Sequence, residues 1–328
     1  MTHLWLPISG NLWHNGPSMK SHWKTLLKIG ISLGLILFLL SRIDTATLGQ
    51  NLARAHRGWL LVTVLLFILS ILLRTLRWQV LVRARGMDAT FWQLARWYYI
   101  GAFFNTLLPT GFGGDVAKSV YLAKASGDTG GAVGTVVLDR FLGILVLLGV
   151  GALAAPFSRA HISMWVQGFV ILLFLAALAG FWVLRHQGWI RWLRARTLSL
   201  LPHSIGQRLQ NMSSLRSLYL ALQDYDNLTL LRAILFSLIF NASWILINIT
   251  AGLALDIHLP LLDYLIFVPL ASLALLIPSI GGIGVRELGY VGLFTQVGVP
   301  AETAFAMSIV VYLATVITGL VGGILLLF

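Results

Sequence analysis

Asp139 and Arg140 are adjacent charges inside an apolar stretch, 130–154. A charge at the centre of a membrane helix costs about 2.5–3.5 kcal/mol on insertion scales, so each needs a partner or a ligand. Neighbours on a helix point about 100° apart and do not face each other. Each must therefore find its partner on another element. The opposite charges on offer are Asp115 and Lys118 in one segment and Arg286 and Glu287 in another. An arginine fork makes paired hydrogen bonds to phosphate oxygens, so Arg140 suits a phosphate grip. A buried ion pair that pins its helix to a neighbour would use the same residues, and the sequence leaves both readings open.

The segments that hold these charges are two versions of one motif. The first reads Leu108-Pro109-Thr110-Gly111-Phe112-Gly113-Gly114-Asp115-Val116, with Lys118 just beyond. The second reads Ile277-Pro278-Ser279-Ile280-Gly281-Gly282-Ile283-Gly284-Val285-Arg286-Glu287. Proline lacks an N–H and glycine weakens a helix, so each motif should interrupt a membrane helix. A half-helix that starts after such a break offers free N–H groups and a positive dipole end to an anion. Close helix packing is the competing use of the glycines, and capping the competing use of Thr110 and Ser279. Broken helices at matching places in two halves are the best sequence pointer to a transporter's binding site. The candidate substrate-binding residues are therefore Pro109, Thr110, Gly113, Gly114, Asp115 and Lys118, then Asp139 and Arg140, then Pro278, Ser279, Gly281, Gly282, Gly284, Arg286 and Glu287.

These residues need helices in a bilayer to position them. The 328 residues are 58% hydrophobic and only 10% charged, where a soluble protein carries about a quarter charged. The apolar residues run continuously over bilayer-spanning lengths, which excludes an alternating β-barrel. The chain reads as an all-α polytopic membrane protein. Its net charge of +12 is spread between spans, as in cytoplasmic loops, and does not point to nucleic acid. There is no cysteine, hence no disulfide, thiol catalysis or thiolate metal site. The eight histidines lie outside the apolar spans without metal-ligand spacing, so neither metal nor cofactor is expected. Walker, Gly-x-Ser-x-Gly and His-Glu-x-x-His motifs are missing from the text, and no residue is assigned a catalytic role.

Residues 1–18 are polar and patternless and read as a leader, or as text ahead of a native start at Met19-Lys20-Ser21-His22. Residues 19–328 form a single transmembrane domain. Full spans are expected at 26–40, 58–82, 130–154, 164–184, 230–255 and 303–327. Arg74, Arg77 and Trp78, near the end of the second span, suit snorkelling and an aromatic belt at the interface. The segments 92–108 with 114–125, and 263–277 with 287–298, read as re-entrant hairpins, because too few apolar residues follow each proline for another crossing. The basic loop 185–228 carries six arginines among Leu, Trp and Tyr, and its segments 189–201 and 205–222 suit interfacial helices. With both termini cytoplasmic, seventeen of the 23 basic residues fall inside and five outside, with Arg140 buried. That bias fits the positive-inside rule.

Pro109 and Pro278 lie 169 residues apart. The flanking spans repeat at about the same offset, giving repeat one at about 58–154 and repeat two at about 230–328. An odd number of crossings separates matching points, so the two hairpins should enter from opposite faces. This is the inverted-repeat plan of secondary transporters.

The two motifs, the Asp139-Arg140 pair and the Arg74-x-x-Arg77-Trp78 text together resemble the flippase-like family. That family comprises the transmembrane region of lysylphosphatidylglycerol synthases and its stand-alone relatives. The resemblance runs from Lys20 to Phe328, and Pro-x-x-Gly-Gly-x-Gly-Val-Arg-Glu is its most specific part. It implies a prokaryotic inner-membrane protein that moves lipid between leaflets, without the separate domain that transfers lysine. Relatives often carry a basic residue in the last span, where this chain has Val311-Tyr312-Leu313. That departure puts a second charged anchor, and the same lipid choice, in doubt.

Three functions compete on this reading. A lipid translocator would hold an anionic headgroup between the two broken helices, with Arg140 and Arg286 as counter-charges. An intramembrane transferase would use Asp139 or Glu287 as general base. A membrane partner of a soluble synthase would dock it on the basic loop, which attraction to anionic lipid explains more simply. Membrane lipids with anionic headgroups are the expected partners, with a homodimer as a further possibility.

Overall fold

The computed structural model describes residues 37–41, 43–107, 112–158, 162–185, 223, 225–275 and 282–328. The expectations for residues 1–18, most of the 26–40 span, the loop 186–222, and Pro109, Thr110, Pro278, Ser279 and Gly281 lie outside these residues.

Every described element is helical. A short amphipathic α1 (Thr45–Arg54) leads into the long α2 (Arg57–Ala84). The shorter α3 (Phe91–Leu107) and α4 (Gly113–Ser126) follow, then the long α5 (Thr129–Ala154) and α6 (Met164–Arg185). The second half runs α7 (Asn227–Leu253), α8 (Leu261–Ala274), α9 (Val285–Phe294) and α10 (Ala301–Leu326). Five described helices, α2, α5, α6, α7 and α10, are long and apolar enough to cross a membrane. The chain is a multi-pass membrane protein.

Local sequence explains where the helices start and stop. Asp128 caps α5 by accepting from Gly131 N at 2.8 Å, and Asp226 caps α7 by accepting from Thr229 N at 3.2 Å. Pro260 and Pro300 precede α8 and α10, where a missing N–H costs nothing. Gly127 ends α4 in the left-handed region at φ 74°, which L side chains resist.

The order long, short, short, long occurs twice. The starts of α2 and α7, and of α3 and α8, differ by 170; those of α4 and α9, and of α5 and α10, differ by 172. The halves are interleaved: α2 lies along α7, α3 along α10, and α5 along α8. Glycines permit the closest crossings. A Cβ on Gly322 of α10 would sit 1.9 Å from Tyr99 O of α3. At the corresponding crossing, one position along the helix, a Cβ on Gly151 of α5 would sit 3.2 Å from Pro269 Cγ of α8. Each half also packs its own aromatic cluster. Trp78 meets Trp97 and Tyr98 in the first, and Tyr264, Phe267 and Tyr290 surround Phe294 in the second.

Candidate functional site

The two halves enclose a cavity of about 320 Å³. Its walls come from near the middle of four long helices: Arg74 and Arg77 of α2, Asp139, Arg140 and Gly143 of α5, Phe240 and Asn241 of α7, and Tyr312 of α10. The short helices add Gly101 and Asn105 of α3, Asp115 and Lys118 of α4, and Ser272 of α8; Arg286 of α9 and Gly282 just before it complete the lining. Among the described lining residues five are cationic and two are carboxylates. The apolar part of the wall, Phe67, Ile71, Ile144, Leu147 and Leu275, adjoins the charges.

The carboxylates are fully engaged. Asp139 is 1% exposed; its Oδ1 accepts from Arg77 Nε at 2.6 Å and its Oδ2 from Tyr98 OH at 2.8 Å. Lys118 Nζ lies 3.9 Å from the same carboxylate and 3.0 Å from Asp115 Oδ1. Arg140 NH1 bonds the other oxygen of Asp115. Arg77, Asp139, Lys118, Asp115 and Arg140 thus form one chain of alternating charge across α2, α5 and α4. Arg77 also donates to Ser237 Oγ at 3.2 Å, tying α7 to the chain. Alternation is what makes this density of buried charge tolerable, since a lone buried charge is far costlier than a pair.

Small residues let the charges approach. A Cβ on Gly143 would lie 2.7 Å from Arg77 NH1, so glycine opens the space for that guanidinium. Asn241 Nδ2 donates to Gly143 O at 3.2 Å. A Cβ on Gly114 would lie 2.2 Å from Gly101 O, and the Gly114 N–H goes to Asn105 Oδ1 at 2.7 Å. Gly114 therefore serves the α3–α4 contact and its N–H is already spent.

The sequence candidates divide accordingly. Asp115, Lys118, Asp139, Arg140, Gly282 and Arg286 meet at the cavity. Gly113 and Gly114 open α4 behind it, both buried. Glu287 does not line it: its Oε2 accepts from Gly284 N at 2.6 Å, capping its own helix. Gly284, at φ 86°, makes the turn that permits this cap. With Asp139 tied to Arg77 and Tyr98, and Glu287 tied to backbone, neither carboxylate stands ready as a general base.

Two expectations need correction. Arg77 and Trp78 do not lie at an interface; they are 3% and 0% exposed. Arg77 finds its carboxylate inside the bundle, and Trp78 Nε1 donates to Thr135 Oγ1 at 3.1 Å, so neither needs to reach water. Asp139 was expected to look to the hairpins, yet its nearest partner is Arg77 on a long helix, with Lys118 second. Arg74 was read as an interface anchor and not as a site residue, and Tyr98, Asn105, Gly143, Phe240 and Asn241 were not anticipated. Helical spacing could have found two of them: Arg74 shares a face with Arg77 at i, i+3, and Gly143 with Asp139 at i, i+4.

Comparison with known proteins points to one family. The family model described as the lysylphosphatidylglycerol synthase TM region matches residues 25–323. The UPF0104 membrane protein PH1989 of Pyrococcus horikoshii is 26% identical over 326 residues, spanning 92% of this chain and 96% of that relative.

Proposed function

The chain belongs to the family of the lysylphosphatidylglycerol synthase transmembrane region, and from that premise we propose that it carries lipids with anionic headgroups between leaflets. The observation behind this reading is the cavity, walled by both halves near mid-helix, with five cations against two carboxylates. An excess of buried positive charge is costly in a bilayer unless an anion offsets it. The adjoining apolar wall suits the first carbons of acyl chains. The matched helix order of the two halves supports an inverted repeat with oppositely inserted hairpins, whose rearrangement would open the cavity to either face. The setting would be a prokaryotic cytoplasmic membrane with both termini inside, in keeping with the basic-residue bias.

The test is leaflet exchange in vesicles. Protein reconstituted into phosphatidylcholine vesicles should speed the exchange of labelled anionic lipids over protein-free vesicles. Arg286→Gln, at the cavity wall, should slow it with the fold intact. No acceleration for any phospholipid or polyprenyl phosphate would reject the reading.

A further inference from the structure

The five cations of the cavity are not equivalent. Arg77, Lys118 and Arg140 each bind a carboxylate, and two carboxylates serve all three. Arg74 is different. No carboxylate of the described residues comes within 4 Å of it, and its buried Nε has no hydrogen-bond partner. Its guanidinium lies on the Phe240 ring at 4.2 Å from the centroid, a contact that orients the fork and leaves its N–H edges unspent. Arg74 sits one helical turn from Arg77, so an oxyanion at its edge is also next to the fixed charge chain.

We propose that the cavity selects a lipid whose phosphate is a terminal monoester or diphosphate, and that Arg74 is its first ligand. This rests on the translocator reading and narrows its substrate class. Among the described residues, the cavity lining carries three more positive than negative charges. A phosphodiester headgroup brings one negative charge and leaves most of that excess buried. A phosphomonoester brings about two at neutral pH, and a diphosphate more. In a low-dielectric site the better-matched ligand has a large advantage. The apolar residues Phe67, Ile71, Ile144 and Leu147 continue the wall beyond the charges, which favours a lipid over a free phosphate compound.

The experiment measures equilibrium binding to the full chain in phosphatidylcholine nanodiscs by calorimetry. The probes are short-chain phosphatidic acid (a monoester), short-chain phosphatidylglycerol (a diester) and glycerol phosphate (a monoester without chains). Phosphatidic acid should bind about tenfold or more tighter than phosphatidylglycerol at about pH 7.5. No histidine lines the cavity among the described residues, so the preference should shrink toward about pH 5.5 as the monoester gains its proton. Arg74→Gln should lower phosphatidic acid affinity about tenfold and erase the preference, while Arg74→Lys keeps part of both. Thermal unfolding in the same nanodiscs checks that the variants are folded. Equal binding of both lipids by the unaltered chain, or unchanged phosphatidic acid binding by Arg74→Gln, overturns the proposal. Phosphatidylglycerol exchange at the ordinary rate alongside either result leaves the translocator reading standing. Binding of neither lipid, with no exchange, removes both. Glycerol phosphate binding as tightly as phosphatidic acid would reject the lipid part of the assignment.

Discussion

The two halves share a helix order, yet they spend their charges differently. Asp115 in the first turn of α4 corresponds, at the 172-residue offset, to Glu287 in the first turn of α9. Asp115 pairs with Lys118 one turn along α4 and reaches across to Arg140 of α5, whereas Glu287 bonds the backbone at the start of its own helix, at Gly284. Asp139-Arg140 of α5 corresponds to Val311-Tyr312 of α10. Tyr312 is the aromatic floor for Arg286, whose guanidinium lies 5.0 Å from its ring centroid. Among the described residues, the first half therefore holds a charge chain with both signs, and the second adds to the cavity a cation but no carboxylate. One half fixes the frame, and the other supplies part of the positive excess.

The largest effect expected from this contrast is at Asp139. Asp139→Ala removes the carboxylate that Arg77 and Tyr98 share and that Lys118 approaches, leaving Arg77 charged at 3% exposure. Breaking a buried pair from one side costs about 3–5 kcal/mol. The variant should lose most of its folded fraction, read by thermal unfolding and size exclusion in detergent. Its counterpart Val311→Ala, which deletes two buried carbons but strands no charge, should cost less, about 1.5–3 kcal/mol. Similar losses at the two positions would break the comparison.

Much of this was legible in the chain itself. Continuous apolar runs gave the long helices, and proline with glycine gave the interruptions, because both signals are local. The rule that helical neighbours do not face each other sent Arg140 to another element, with Asp115 and Glu287 as the carboxylates on offer, and the fold supplies Asp115. The partner of Asp139 was hidden because Arg77 lies 62 residues away, near the end of an apolar run. There a basic residue with a tryptophan reads as an interface anchor, and only the packing of α2 against α5 shows otherwise. Arg74 was masked by the same reading. Gly114 stayed undecided for a different reason: a glycine that opens a helix N-terminus and one that lets a neighbour close in look identical in sequence. Only the Asn105 side chain, already on its N–H, decides between them.

A second prediction tests the interleaving of the halves, with an intermediate effect. Gly322→Ala would drive a Cβ to 1.9 Å from Tyr99 O, a backbone atom that cannot swing aside. Overpacking of this kind costs about 1–3 kcal/mol. At the corresponding crossing, Gly151→Ala meets Pro269 Cγ and Val170 Cγ2 at 3.2 Å and Leu265 O at 3.3 Å, contacts that each need a shift of only a few tenths of an ångström. Alanine also gains about 0.8–1.0 kcal/mol of helix propensity over glycine. Gly151→Ala should therefore be close to neutral in thermal unfolding while Gly322→Ala is clearly destabilised. Equal effects would mean that the two crossings are not as differently spaced as their contacts imply.

The smallest effect is at Glu287, and it bears most directly on the contrast between the halves. Its side chain is buried at 4% exposure and accepts from Gly284 N at 2.6 Å. Capping needs an acceptor and not a charge. Glu287→Gln keeps an acceptor at the same reach, so stability and lipid exchange should both stay near those of the unaltered chain. Glu287→Ala leaves the Gly284 N–H without its acceptor at the start of α9 and should cost about 1 kcal/mol, with exchange falling only as folded protein falls. The corresponding change in the other half, Asp115→Asn, removes a charge that Lys118 and Arg140 both use, so there the amide should not substitute. If Glu287→Gln instead stopped exchange with its fold intact, the carboxylate charge would belong to the working site. In that case α9 would use its acid on the cavity, as α4 does.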